Sequence, residues 1–180
     1  IIVANSWNAF AFRREGIPLV AVEHLFVLDR ALHPYRSFAQ SVFHNTFVRL
    51  FLWRSYRLAN ALVAISKYVN SQIRETFPWT QPHIILNGVD TNFFRPPDDC
   101  KSPHRPPTKL VLFIGKPSRR KGADLLAKIA LELGEGFEIQ YTSHSSDGNN
   151  ELSGKRLRSI GRLDKSGTKD AYQKADVFLF

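Results

Sequence analysis

Methionine is absent from the 180 residues, and cysteine occurs once, at Cys100. A lone cysteine excludes an internal disulfide and fits a reducing compartment. Long hydrophobic runs are missing too. The longest near-apolar stretch, Ile17 to Leu28, is broken by Glu23 and His24, and nothing approaches the roughly 18 uncharged residues of a membrane span. No secretory pattern opens the chain. Neither G-x-x-x-x-G-K-S/T nor G-x-G-x-x-G occurs, which removes a nucleoside-triphosphate loop and a dinucleotide fingerprint. HExxH spacing, paired Cys and His, and a D-x-D pair are lacking as well, so neither a metal site nor another cofactor is expected.

What is present is an ordinary globular composition with a basic surplus. Apolar residues make up 43% and charged residues 23%, which argues against disorder. Lys and Arg outnumber Asp and Glu by 25 to 16, for a formal charge of +9. Such a surplus draws phosphate-bearing partners of any kind. It divides evenly, +4 over residues 1–90 and +5 over residues 91–180, which argues against a basic tail. The chain opens on "IIVAN" and stops at "ADVFLF" as a buried strand begins. It is therefore expected to be an internal segment of a longer protein.

Short apolar runs recur at Ile1–Ala4, Leu19–Val22, Leu62–Ile65, Ile84–Leu86, Leu110–Ile114, Glu138–Tyr141, Leu157–Ile160 and Val177–Phe180. Runs of this length bounded by turn residues suit strands buried on both faces of parallel sheets. Helical patterns lie between them. Leu125, Leu126, Ile129, Ala130 and Leu133 follow the spacing of one buried face, predicting a helix over Gly122–Leu133 that stops at Gly134. Ser66 is placed to cap a helix running to about Thr76. The alternation predicts an α/β fold with crossover helices. Five prolines in "TNFFRPPDDCKSPHRPP" mark residues 92–108 as a linker, separating a first α/β domain over 1–91 from the start of a second over 109–180. "SHSSDGNNELSG", Ser143 to Gly154, reads as a polar surface loop.

Two segments carry chemistry. Ser37–Asn60 is long, aromatic and basic: Phe43, Phe47, Leu50, Phe51 and Arg54 share a face, as in a helix packed on a sheet or one lying on a membrane surface. In "FIGKPSRRKGADLL", Lys116, Arg119, Arg120 and Lys121 crowd the turn between a strand and a helix. Ligands of open α/β sheets bind at such strand ends, and a helix N-terminus there suits a phosphate. The alternative is a solvated loop, or a non-catalytic phosphate or nucleic-acid binder with steep salt dependence. Base-stacking aromatics are lacking near the loop, which lowers the nucleic-acid option.

"LVAISKYVNSQIRETF", "HIILNGVDTNFFRPP", "VLFIGKPSRRKGADLL" and "SIGRLDKSGTKDAYQKADVFLF", in this order, resemble the retaining glycosyltransferases of family 4. That GT-B group includes lipopolysaccharide, capsule and phosphatidylinositol mannosyltransferases. The resemblance covers Leu62 to Phe180 and, more loosely, Ile1 to His24. It implies two Rossmann-like domains, truncated here at both ends, and transfer of a sugar from a nucleotide-diphosphate donor with retention of configuration. Gly115 and Lys121 match the glycine and lysine of the family's donor loop, whose cations contact the pyrophosphate. Lys116 stands where that loop carries arginine, so it keeps the charge without the planar fork, and Arg119 or Arg120 is the substitute. Gly122 follows as the helix start. Gly161, Arg162 and Leu163 match the turn bordering the nucleobase, and Glu23 with His24 resembles the segment carrying a histidine near the transferred sugar.

The implied partners are a nucleotide-sugar donor and a glycan or lipid-linked acceptor, with no nucleic acid and no metal. The implied location is the cytoplasm, with peripheral attachment to the inner membrane face as an option. A glycine-rich loop is expected before Ile1 and a carboxylate pair after Phe180, so these residues alone are expected to be inactive and not to fold robustly.

Overall fold

Among the described residues, eight short strands are interspersed with five α-helices, an α/β arrangement as the apolar runs predict. The computed structural model describes residues 1–97, 107–143 and 156–180. Residues 98–106 of the expected linker, with Cys100, and residues 144–154 of the polar loop lie outside them. The chain divides into two compact units, Ile1–Gly88 and Val89–Phe180.

In the first unit, β1 (Ile2–Asn5), β2 (Leu19–Glu23), β3 (Ala61–Ala64) and β4 (His83–Ile84) form a parallel sheet in sequence order. Between β2 and β3 the chain forms α1 (Phe38–Phe43), a π-helical turn (His44–Val48) and α2 (Arg49–Leu58). Ser37 and Gln40 start α1 with a reciprocal capping box. The π-turn is one departure from the regular helix that the pattern predicts. There the Thr46 hydroxyl donates to the Val42 carbonyl at 2.8 Å, a side-chain competitor inside the backbone ladder. Ser66 accepts from the Val69 amide and opens α3 (Lys67–Thr76), as expected. The core joins Leu19 and Ala21 of the sheet to Val48, Leu52 and Tyr56 on one helix face and to Val69 and Ile73 on the other helix. Burying Leu52 completely contributes about 1.5–3 kcal/mol.

The second unit holds β5 (Lys109–Phe113), β6 (Phe137–Tyr141), β7 (Leu157–Ser159) and β8 (Val177–Phe178) in the order β7-β6-β5-β8, all parallel. The order runs outward from β5 to β7 and then returns to the far side of β5. That strand is therefore the topological switch point, where open sheets leave a crevice at their carboxyl ends. Among the described residues the unit's α-helices are α4 (Leu126–Leu133) and α5 (Lys165–Lys174). The first of them begins later than the sequence predicts. Gly122 adopts the left-handed conformation, a 3-10 turn occupies Ala123–Leu125, and only then does the α-helix start. The Asp164 carboxylate accepts from the Gly167 amide at 2.7 Å and caps α5.

Residues 89–97 pack against α5. The Asp90 carboxylate accepts from the Asn92 and Phe93 amides, and the Gln173 amide group donates to the Arg95 carbonyl at 2.8 Å. Phe93 lies beneath the ammonium groups of Lys165 and Lys169, at 4.4 and 5.2 Å from its ring centre.

Candidate functional site

The loop that follows β5 is anchored by one hydroxyl. Thr142, at the end of β6, donates its Oγ1 proton to the Gly115 carbonyl at 3.1 Å and accepts from the Gly115 amide at 2.8 Å. Gly115 has φ of 137°, a conformation that side-chain-bearing residues rarely adopt. A Cβ there would meet the Lys121 Nζ at 2.5 Å. The ammonium group thus lies directly over a backbone position that glycine keeps bare. Gly122, at φ of 72°, turns the chain after Lys121 towards α4. Lys116, Arg119, Arg120 and Lys121 are all exposed around this turn.

The neighbouring strand ends join the same rim. Ser143 and Ser159 share a hydroxyl hydrogen bond of 2.6 Å, and the Ser143 amide donates to the Gly161 carbonyl at 3.1 Å. Arg162 projects as an exposed cation from this second loop, while Leu163 is half-buried against Gly167. The predicted donor-binding residues therefore occupy two loops on one carboxyl edge, linked through Thr142 and Ser143. Those two hydroxyl residues escape a sequence reading; their one signal is a pair of small polar residues directly after a strand.

The backbone amides of the first loop are less available than a helix N-terminus at Gly122 implies. Lys121 and Ala123 donate to the Ser118 carbonyl, Gly122 to Arg119, and Leu125 to Gly122. Capture of an anion at these positions falls to side-chain charge instead. Among the described residues, no group of three His, Cys, Asp or Glu side chains is placed to hold a metal ion. A recess of the second unit, about 650 Å3 and lined by residues such as Phe94, Arg95 and Tyr172, includes none of the basic-loop residues. The loop is an open rim rather than a closed cavity.

The first unit ends its sheet differently. Glu23, the last residue of β2, is buried, and its Oε2 accepts two hydroxyl protons at 2.6 Å, from Ser6 and from Tyr56. Burial pushes the Glu23 carboxyl above its ordinary range, against the hydrogen bonds from Ser6, Tyr56 and the Leu25 backbone. The same burial, together with the adjacent carboxylate, pushes the Tyr56 phenol well up. His24, the next residue, is exposed at the carboxyl end of the strand. Nearby, Asp29 receives the Tyr68 hydroxyl at 2.6 Å, and Arg36 donates to the Val27 carbonyl. Arg36 Nη1 and His44 Nδ1 are buried without a hydrogen-bond partner, and burial followed by the Arg36 charge holds the imidazole below its usual pKa.

A family model described as Glycosyltransferase Family 4 matches residues 1–93, more than half of the chain. The chain belongs to glycosyltransferase family 4. Its function is accordingly of the glycosyltransferase type, with a sugar donor and an acceptor as substrates. No curated protein matches it. The match covers the unit that carries Glu23 and His24, whereas the basic loop of this family 4 chain lies outside the matched residues. Nothing in the comparison supports the non-catalytic polyanion binder.

Proposed function

We propose that this chain contributes the donor-binding rim and part of the acceptor side of a retaining transferase that takes its sugar from a nucleotide diphosphate. The observation that carries this reading is the Lys121 ammonium group poised over bare Gly115 at the carboxyl end of the switch strand. Breaking the glycosidic bond of a nucleotide-diphosphate sugar leaves negative charge on the departing diphosphate. Lys121 and Lys116 offset that charge as it develops, which lowers the barrier more than it stabilises the bound donor. Arg120, beside Lys121, supplies a forked donor to the phosphates. Arg162 and Leu163 border the base, and the exposed His24 faces the transferred sugar, roles that follow from the family resemblance. The acceptor is a glycan or a lipid-linked sugar, and the protein works in the cytoplasm. Lysine and arginine side chains take the part that a divalent ion plays in other sugar-nucleotide enzymes, so no metal is required.

Turnover of the intact enzyme tests this. Lys121→Ala should lower the rate about 100-fold, the scale of losing one charge-stabilising donor, and a chelator should leave the wild-type rate unchanged. An undiminished rate in Lys121→Ala removes that residue from the mechanism, and loss of activity to the chelator removes the metal-free reading.

A further inference from the structure

We propose that Glu23 is a positioning residue: with Ser6 and Tyr56 it fixes the direction in which His24 leaves β2, and so sets the rate of sugar transfer without touching either substrate. The inference rests on the reading of His24 as facing the transferred sugar and adds what holds it there. Between Glu23 and Asp29 the chain surfaces only at His24 and Leu25, since Glu23 before them and residues 26–29 after them are all buried. The imidazole is thus carried on a two-residue projection with both roots in the core.

The roots are tied to each other. Glu23 Oε2 receives the Ser6 and Tyr56 hydroxyls, each at 2.6 Å, and the carboxyl also accepts from the Leu25 backbone. That last bond closes a small ring whose middle residue is His24. Ser6 follows β1 and is itself fixed to β2, because its amide donates to the Val22 carbonyl at 3.1 Å. Tyr56 comes from α2, and its ring stands edge-on to Phe77 at 5.3 Å, which stands edge-on in turn to Phe26 at 6.5 Å. Phe26 is the far root of the projection, so one chain of contacts runs from Glu23 through Tyr56 and Phe77 back to it.

Burying a carboxyl is more costly than burying an aliphatic side chain of similar size. Hydrogen bonds, however, fix direction in a way that apolar contacts do not. Direction matters at this place: His24 is exposed at the carboxyl end of a strand paired on both sides in a parallel sheet, where open sheets bind their ligands. A side chain that acts on a reacting centre has to be held to within about 0.5 Å, and a misplacement of about 1 Å can lower a rate about 100-fold.

Steady-state kinetics of the intact enzyme over a double-mutant cycle of Tyr56→Phe and His24→Ala test the proposal. Tyr56→Phe should lower kcat about ten-fold and leave the donor KM unchanged, and Ser6→Ala, which removes the other hydroxyl, should do the same. In the His24→Ala background neither change should lower kcat further, because the group being positioned is gone. Glu23→Gln, whose amide oxygen still receives both hydroxyls, should keep kcat closer to wild type than Glu23→Ala. Circular dichroism of each variant checks that the fold is retained. Unchanged kcat in both hydroxyl variants overturns the proposal, as does a loss of equal size with and without His24, which would make the cluster a general support of the fold. A wild-type rate in His24→Ala alone removes the reading of His24 itself, and the positioning role with it.

Discussion

The two sheets finish their carboxyl edges in opposite ways. In the first unit the carboxylate that ends β2, Glu23, is buried beneath the hydroxyls of Ser6 and Tyr56, beside the exposed His24. In the second, four cations stand exposed around two glycines of positive φ. A buried, bonded carboxylate is inseparable from the stability of its fold, because removing a partner leaves a desolvated charge unsatisfied. An exposed cation adds little to stability. The first edge is therefore a fixed support, and the second is a surface whose charge can be altered with the fold intact.

The sharpest way to break this contrast is Gly115→Ala. The added Cβ meets the Lys121 Nζ and must also tolerate φ of 137°, so this change in the second unit should cost about 1–3 kcal/mol and displace the lysine. Donor affinity and urea stability should fall together. Retention of both would show that the backbone there need not be bare. Tyr56→Phe is the counterpart in the first unit. It removes one of two hydroxyl donors to Glu23 and should lower unfolding stability by about 1–3 kcal/mol, while leaving donor affinity unaltered. A neutral result would mean that the edge is not sealed.

A pH series sharpens the same point. The folded-state pKa of Glu23 lies above its ordinary 4.5 because burial disfavours the charged form. Its contribution to stability is then complete below pH 4.5 and declines as pH rises through the folded-state value. The decline is at most about 1.4 kcal/mol per pH unit. Glu23→Gln should flatten that part of the profile; an identical slope in the variant would assign the dependence to other groups. The smallest effect belongs to Arg119→Ala, expected to shift stability by no more than about 0.5 kcal/mol. A larger loss in a melting experiment would show that the cationic turn is structural.

What the sequence makes legible divides along local and long-range lines. Among the described residues, seven of the eight strands largely coincide with apolar runs, β4 (His83–Ile84) meets its run, Ile84–Leu86, at Ile84 alone, and Ser66 caps α3 where its position after a strand predicts. The cationic loop is legible as a cluster between a strand and a helix. Its supports are not, since Thr142 reaches Gly115 across 27 residues and Tyr56 reaches Glu23 across 33. Nor does apolar spacing reveal that the Lys121 amide bonds the Ser118 carbonyl and the Leu125 amide the Gly122 carbonyl, closing successive 3-10 turns that delay α4 to Leu126. Periodicity reports which face is buried, not which backbone hydrogen bonds compete at the end of a helix.

The most direct test of the account is thermal stabilisation of the intact protein by a panel of nucleotide sugars, with simple polyanions as controls, in the wild type and in Lys121→Ala. One nucleotide sugar should raise the melting temperature of the wild type and fail to do so in the variant. Equal, salt-sensitive stabilisation by every polyanion, or stabilisation that survives in Lys121→Ala, would contradict a donor site built on this rim.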